Sequence, residues 1–224
     1  MTEDKKKRIL SMVDHTLLKA ASSWEQVEEL CGEAIKYRTA SVCVPPSYVK
    51  RTAEKYGEEL AVCTAIGFPM GFNTTETKVF ETEEAIRNGA DEIDIVINIG
   101  DVKNGAFDLV EKELAALRKA AEGKILKVII ETCYLEKDEK IKLCRLVTES
   151  GADFIKTSTG LGPGGAVLED IDLMRANTGK GVRIKAAGGM RTAEDHEAFF
   201  DRGVDRIGSS SAIKALCGGE DRQR

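Results

Sequence analysis

Three short apolar runs each carry a charge that a buried strand would not choose. They read Glu92-Ile93-Asp94-Ile95-Val96-Ile97-Asn98, Phe154-Ile155-Lys156-Thr157 and Arg183-Ile184-Lys185-Ala186. In extended chain, alternate residues share a face. Ile93, Ile95 and Ile97 then oppose Glu92, Asp94, Val96 and Asn98, and Ile155 and Ile184 oppose Lys156 and Lys185. In a barrel the isoleucines would face surrounding helices, while Asp94, Lys156 and Lys185 would point inward. Lysine and aspartate are rarely fully buried unless paired. A structural ion pair or solvated strand ends would explain each residue alone; the shared phase of all three favours an active site.

The chemistry that suits this trio is imine formation. A lysine amine is nucleophilic only when neutral, and a neighbouring ammonium and poor solvation favour that form. One lysine could attack a carbonyl while the other stays charged, with Asp94 shuttling protons. Aldolase chemistry of this kind requires neither metal nor cofactor.

A second cluster lies late in the chain. Gly188 and Gly189 follow one apolar run, and Ser209-Ser210-Ser211 follow the next. The loops after the last two strands of a barrel often bind phosphate through backbone N–H groups and a helix N-terminus. Gly188 and Gly189 permit close backbone approach, and Ser210 and Ser211 offer hydroxyls; an ordinary turn followed by a serine cap reads the same way. The glycine-rich stretch 157–166, with Thr159 and Gly160, directly follows Lys156. It is either a catalytic loop or a flexible connection, and no Gly-Lys-Ser/Thr ends it as in a nucleotide-binding loop. Asp14 either caps a helix or enters the site.

The elements that would position these groups alternate between short β-rich runs and amphipathic helices. Strands are expected at 41–44, 60–66, 92–98, 126–132, 153–158, 182–186 and 205–209, with 12–15 as an eighth that would close a barrel. Ser23-Trp24-Glu25-Gln26 reads as a capping box, and Asp108, Asp138 and Thr192 mark further helix starts. A repeat, Gly89-Ala90-Asp91-Glu92-Ile93, Gly151-Ala152-Asp153-Phe154-Ile155 and Gly203-Val204-Asp205-Arg206-Ile207, joins a helix end to a strand start three times. Repeated βα units predict a parallel sheet, as a (β/α)8 TIM barrel or an open doubly wound sheet. The first strand lacks a following Gly-x-Gly-x-x-Gly, which weakens the open, dinucleotide-binding form. With no Pro/Gly/Ser-rich linker, residues 1–224 read as a single domain with a short helical N-terminal extension and a frayed tail at 218–224.

Composition narrows the partners. Thirty-three basic and 38 acidic residues give a net charge of −5 over 224 residues, which argues against nucleic acid as a partner. No run is long and apolar enough to predict a membrane span, and the charged N-terminus does not read as a signal core. Six cysteines without a C-x-x-C pair suggest reduced thiols in a cytoplasmic protein, and two distant histidines make zinc an unlikely requirement.

The chain resembles the deoxyribose-phosphate aldolase family of class I aldolases over nearly its whole length. The resemblance rests on Val13-Asp14-His15-Thr16-Leu17-Leu18, Ser41-Val42-Cys43-Val44, Cys63-Thr64-Ala65-Ile66-Gly67-Phe68-Pro69, residues 90–98, Glu131-Thr132-Cys133-Tyr134-Leu135, residues 153–160 and Ile184-Lys185-Ala186-Ala187-Gly188-Gly189. It implies a (β/α)8 barrel that reversibly cleaves 2-deoxy-D-ribose 5-phosphate to D-glyceraldehyde 3-phosphate and acetaldehyde. It also implies that Lys156 forms the Schiff base, that Lys185 tunes it and aids proton transfer, and that Asp94 gives and takes protons. Ser210, Ser211, Gly188, Gly189, Thr159 and Gly160 would bind substrate and its phosphate, with Asp14 and Cys43 close by. Partners would be phosphorylated sugars, aldehydes and further copies of the chain. Another Schiff-base barrel with a different phosphorylated or keto-acid substrate, or a phosphate sensor, are the competing readings.

Overall fold

The structure, a computed structural model, describes residues 1–218. Apart from Gly218, the tail expected at 218–224 lies outside the described residues. Eight strands pair in parallel and in chain order, and the eighth closes on the first. They are β1 (Val13–Thr16), β2 (Ser41–Val44), β3 (Val62–Ile66), β4 (Glu92–Val96), β5 (Ile125–Ile129), β6 (Phe154–Lys156), β7 (Arg183–Ala187) and β8 (Arg206–Ser209). This is the expected (β/α)8 barrel rather than the open sheet. The N-terminal extension is helix α1 (Glu3–Leu10), which buries Ile9 and Leu10.

Around the barrel run α2 (Trp24–Tyr37), α3 (Pro46–Tyr56), α4 (Thr75–Arg87), α5 (Ile99–Lys103), α6 (Phe107–Ala120), α7 (Lys137–Glu149), α8 (Leu168–Asn177), α9 (Ala193–Asp201) and α10 (Ala212–Cys217). The expected capping box of Ser23 with Gln26 opens α2, and Thr192 with Asp195 opens α9. Two helix starts differ from expectation. Glu136, rather than Asp138, caps α7, because Glu139 reaches back to the Glu136 N–H at 2.7 Å. α6 starts from Ala106 without a side-chain cap, since the Asp108 carboxylate pairs with Lys112 one turn on, at 3.1 Å.

The expected strand phase holds. Ile93, Ile95, Leu126, Val128, Ile155, Ile184 and Ile207 join the hydrophobic layer between barrel and helices, leaving the alternate residues for the interior. Strands end earlier than their apolar runs. Asn98 leaves β4 to cap α5, its Oδ1 accepting from the Gly100 N–H at 3.0 Å. Glu131 turns the chain out of β5 into a short 3-10 turn, Thr132–Tyr134.

The repeat has a structural function. Gly89, Gly151 and Gly203 end helices at φ 101, 73 and 78, where a β-carbon is disfavoured. The aspartate that follows accepts an N–H from the first or second residue of the preceding strand. Asp91 takes Val62 at 3.1 Å, Asp153 takes Leu126 at 2.9 Å and Asp205 takes Ile184 at 2.8 Å. Each aspartate N–H also donates to the carbonyl of the same residue. The motif is thus a staple between neighbouring strands at the barrel's N-terminal end. Asp153 additionally pairs with Arg118 at 3.1 Å. Replacing Asp153 with Ala is expected to cost about 1–3 kcal/mol of stability by orphaning the Leu126 N–H, read as a lower urea midpoint with an unchanged slope. An unchanged midpoint would show that the staple adds nothing.

Candidate active site

The interior of a barrel of this type is usually filled by branched apolar side chains. Here Asp14 from β1, Glu92 and Asp94 from β4, Lys127 from β5, Lys156 from β6, Lys185 from β7 and Arg206 from β8 meet inside it, all buried. Lys185 fits because β8 carries Gly208 opposite: a β-carbon there would lie 3.1 Å from the Lys185 Cε.

Asp94 is the hub. Its Oδ2 accepts from Lys156 Nζ at 2.7 Å and Lys185 Nζ at 2.6 Å, and its Oδ1 accepts from Lys127 Nζ at 2.7 Å. Asp14 enters the site rather than capping a helix. It accepts from Lys185, from Arg206 and, at 2.8 Å, from the Ser41 hydroxyl. Glu92 closes the network below, 2.6 Å from Lys127 and 3.1 Å from Arg206. The Arg206 guanidinium also lies over the Phe154 ring at 5.3 Å.

Burial alone would raise the carboxyl of Asp94, but Lys127, Lys156 and Lys185 hold it well below the usual range. Asp14 is likewise lowered, against its burial, by Lys127, Lys185 and Arg206. Burial opposes the charge of Lys185, yet Asp14 and Asp94 keep its ammonium above the usual lysine value; Asp14, Asp94 and Glu92 do the same for Lys127. Cys43 lies at this site as expected. It is buried beside Cys63, whose Sγ donates to Asp94 at 3.3 Å. The donor atoms of Cys43, Cys63 and Asp94 lie within 4.8 Å of one another, but a cation there would have to displace the ammonium groups already on Asp94.

Above the network a cavity of ≈ 440 Å³ opens at the C-terminal ends of β1, β6, β7 and β8. Lys156 lines it, together with Thr159, Gly160, Gly188, Gly189, Ser210 and Ser211, while Asp14, Cys43 and Asp94 lie outside its wall. Lys127 and Lys185 are not in its wall. The two serines differ in what they can offer. The Ser211 hydroxyl donates to the Met190 carbonyl at 3.0 Å, and its N–H donates to Ser209 Oγ at 3.1 Å. Ser210 is exposed and its hydroxyl bonds to none of the described residues. α10 therefore begins at Ser211 without the side-chain cap that the sequence suggested.

Several site residues escaped sequence reasoning. Lys127 stands in Leu126-Lys127-Val128, the same apolar–charged–apolar pattern that marked Lys156, and was legible by that signal. Arg206 sits inside the glycine–aspartate repeat, which drew it into a turn motif. Lys19 and Arg191 also line the cavity, with no local pattern to mark them. His196 is a buried support. Its Nδ1 lies 2.7 Å from the Thr192 carbonyl, which can only accept, so Nε2 accepts from the Ser209 hydroxyl at 3.0 Å. Burial lowers its basicity and keeps the ring neutral.

The comparisons with known proteins follow this geometry. Residues 8–214 match the DeoC/LacD family aldolase. The deoxyribose-phosphate aldolase of Clostridioides difficile (strain 630) is 57% identical over 210 residues, 94% of this chain and 96% of that protein. That of Streptococcus pyogenes serotype M4 is 54% identical over 94% of both. Among solved structures, the tetrameric deoxyribose phosphate aldolase of Aeropyrum pernix superposes with a TM-score of 0.88 at 29% identity, covering 94% of this chain and 90% of that one. Among the described residues, no helix is long and apolar enough to cross a membrane.

The carboxylates of this network set an acid limit on stability. Asp14 and Asp94 are lowered on folding, so their contribution is complete above the usual carboxylate value of 3.8 and is lost as pH falls further, when the unfolded chain binds protons the barrel refuses. The urea midpoint is expected to hold from about pH 7 to about pH 5 and to fall below about pH 4. A decline already under way at pH 6 would contradict this assignment.

Proposed function

Because the chain belongs to the DeoC/LacD family of aldolases, we propose that it reversibly cleaves 2-deoxy-D-ribose 5-phosphate to D-glyceraldehyde 3-phosphate and acetaldehyde through an imine on Lys156. The observation that carries this reading is the position of Lys156. Of the three lysines in the barrel network, it alone lines the cavity. It is also the least paired, with one carboxylate partner, whereas Lys185 has two and Lys127 three.

Charge balance supports the same choice. Lys127, Lys156, Lys185 and Arg206 face only Asp14, Glu92 and Asp94. Carboxylates hold Lys127 and Lys185 protonated, and the guanidinium stays charged. The network balances when Lys156 carries no charge, which is the form that attacks a carbonyl. The amine then adds to the aldehyde carbon of the open-chain sugar, and loss of water leaves a protonated imine. A base takes the proton of the C3 hydroxyl, the C2–C3 bond breaks, and its electron pair moves into the imine to give an enamine. D-Glyceraldehyde 3-phosphate leaves, a proton adds to C2, and water releases acetaldehyde and regenerates the amine. Asp94, bonded to both Lys156 and Lys185, can relay these protons directly or through water.

The phosphate fits the rim of the same cavity. Gly188, Gly189 and Gly160 line it without side chains, Ser210 offers a free hydroxyl, and Ser211 can turn its hydroxyl from Met190. Lys19 and Arg191 supply positive charge beside them. Homo-oligomerisation is part of the proposal, by analogy with the tetrameric Aeropyrum pernix relative. So is a reducing, cytoplasmic setting, supported by six cysteines of which none forms a disulfide among the described residues.

Borohydride in the presence of acetaldehyde is expected to fix one ethyl group per chain on the peptide carrying Lys156. Lys156→Arg should abolish labelling and turnover together, because a guanidinium does not deprotonate. Label on Lys185 instead would overturn the assignment. A second test uses Lys185→Leu. With one cation removed, three carboxylates face three cations, and the charge balance no longer favours an uncharged Lys156. The pH–rate profile should fall sharply at neutrality and recover in part in alkali. Full activity at pH 7 in the folded variant would exclude this role for Lys185.

A further inference from the structure

Glu131 ends β5 in a conformation that its side chain does not favour. It sits at φ 49, ψ 66 and is 2% exposed. The other non-glycine residue with positive φ among the described residues is Arg38, which closes helix α2, where the left-handed region is an ordinary cap. Glycine would adopt the Glu131 backbone without strain, so what the position adds is the carboxylate. That carboxylate forms no ion pair among the described residues. Burying such a group unpaired is costly, and strain of this kind concentrates at functional sites.

Its principal donors all belong to one residue of the loop after β6. The Thr159 N–H lies 3.2 Å from each carboxylate oxygen, and the Thr159 hydroxyl donates to Oε2. Thr159 Oγ in turn accepts the Leu161 N–H at 3.1 Å. This chain of hydrogen bonds grips the loop on both sides of Gly160, which has φ 84 and lines the cavity. Gly160 then packs against the next loop. A β-carbon on Gly188 would lie 3.0 Å from the Gly160 Cα and 3.3 Å from the Gly165 Cα. The far end of the loop is tied to the same place, the Ala166 N–H donating to the carbonyls of Ala187 at 3.1 Å and Gly188 at 3.2 Å.

We propose that Glu131 is the positioning residue of the phosphate cradle: it fixes Thr159 to Leu161 so that Gly160 braces Gly188 and Gly189 at the distance an oxyanion requires. The proposal rests on the phosphate reading of this cavity. It explains why a carboxylate just beyond β5, outside the catalytic network, is kept buried and strained. Its effect is on binding of the phosphoryl group rather than on the chemistry at Lys156, which lies below.

The test compares the intact chain with Glu131→Gln and Glu131→Gly. Calorimetric titration with inorganic phosphate measures the cradle independently of turnover. Steady-state kinetics with 2-deoxyribose 5-phosphate and with unphosphorylated 2-deoxyribose measure its use. Both variants are expected to weaken phosphate about tenfold, the scale of one charged hydrogen bond, and to lower the preference for the phosphorylated sugar by a similar factor. The loss should fall on KM more than on kcat. The glycine variant relieves the backbone, so it keeps the test valid if the glutamine variant folds poorly. Unchanged phosphate affinity, or equal losses on both sugars, would overturn the proposal. A parent protein that binds phosphate but does not cleave the phosphorylated sugar would refute the proposed substrate, while the titrations still judge Glu131. A parent that binds no phosphate refutes both.

Discussion

One carboxylate shared by three lysine side chains constrains the rest of this molecule. Asp94 is fully buried, with Lys127, Lys156 and Lys185 all within 2.7 Å of its oxygens. On a surface, such pairs would be worth little, since water screens them and long side chains lose entropy in forming them. Inside the protein the balance reverses: desolvation is so costly that every charge must find its partners or the fold fails. The four groups therefore have to arrive from four strands with little positional freedom. Asp14, Glu92 and Arg206 complete the set and prevent the lysines from being left with a large excess of positive charge.

A closed parallel barrel provides that convergence. Each strand sends alternate residues inward, and the register between neighbours is fixed by main-chain hydrogen bonds. Asp94 lies level with Lys127, and Lys156 lies level with Lys185, which lies level with Arg206. The aliphatic stems of the lysines occupy space that branched residues fill in other barrels, so they pack as well as ionise. The chemistry divides by surroundings. Carboxylates hold Lys127 and Lys185 as cations, and Lys156 alone of the three lysines meets the cavity.

The two ends of the barrel are specialised differently. At the N-terminal end the repeated glycine–aspartate turn staples neighbouring strands, a purely architectural task that the same residues perform three times. At the C-terminal end no two loops are alike. Glycines bring the loops after β6 and β7 into near-contact, a buried imidazole orients Ser209, and a glutamate from the loop after β5 holds Thr159. These supports lie outside the charged network and shape what can approach it. The division lets the loops set the ligand without disturbing the buried charges.

The sequence alone determined the strands, the phase of their side chains and hence the meeting of Asp94, Lys156 and Lys185. These follow from a two-residue periodicity and from glycine and aspartate at helix ends, both local properties of the chain. The resemblance to class I aldolases rested on the same runs. Local patterns also misplaced helix starts at α6 and α7, where Asp108 pairs with Lys112 and Glu136 with Glu139 forms the capping box. What only the tertiary structure decided was partnership. Asp14 could have capped a helix; it entered the barrel because β1 closes against β8, beside Arg206. Nothing local to Lys127, Arg206 or Glu131 tells which group each will meet, since Asp94, Asp14 and Thr159 lie 33, 192 and 28 residues from them along the chain. Closure of the barrel brings them together, and only then does one lysine of the network face the cavity.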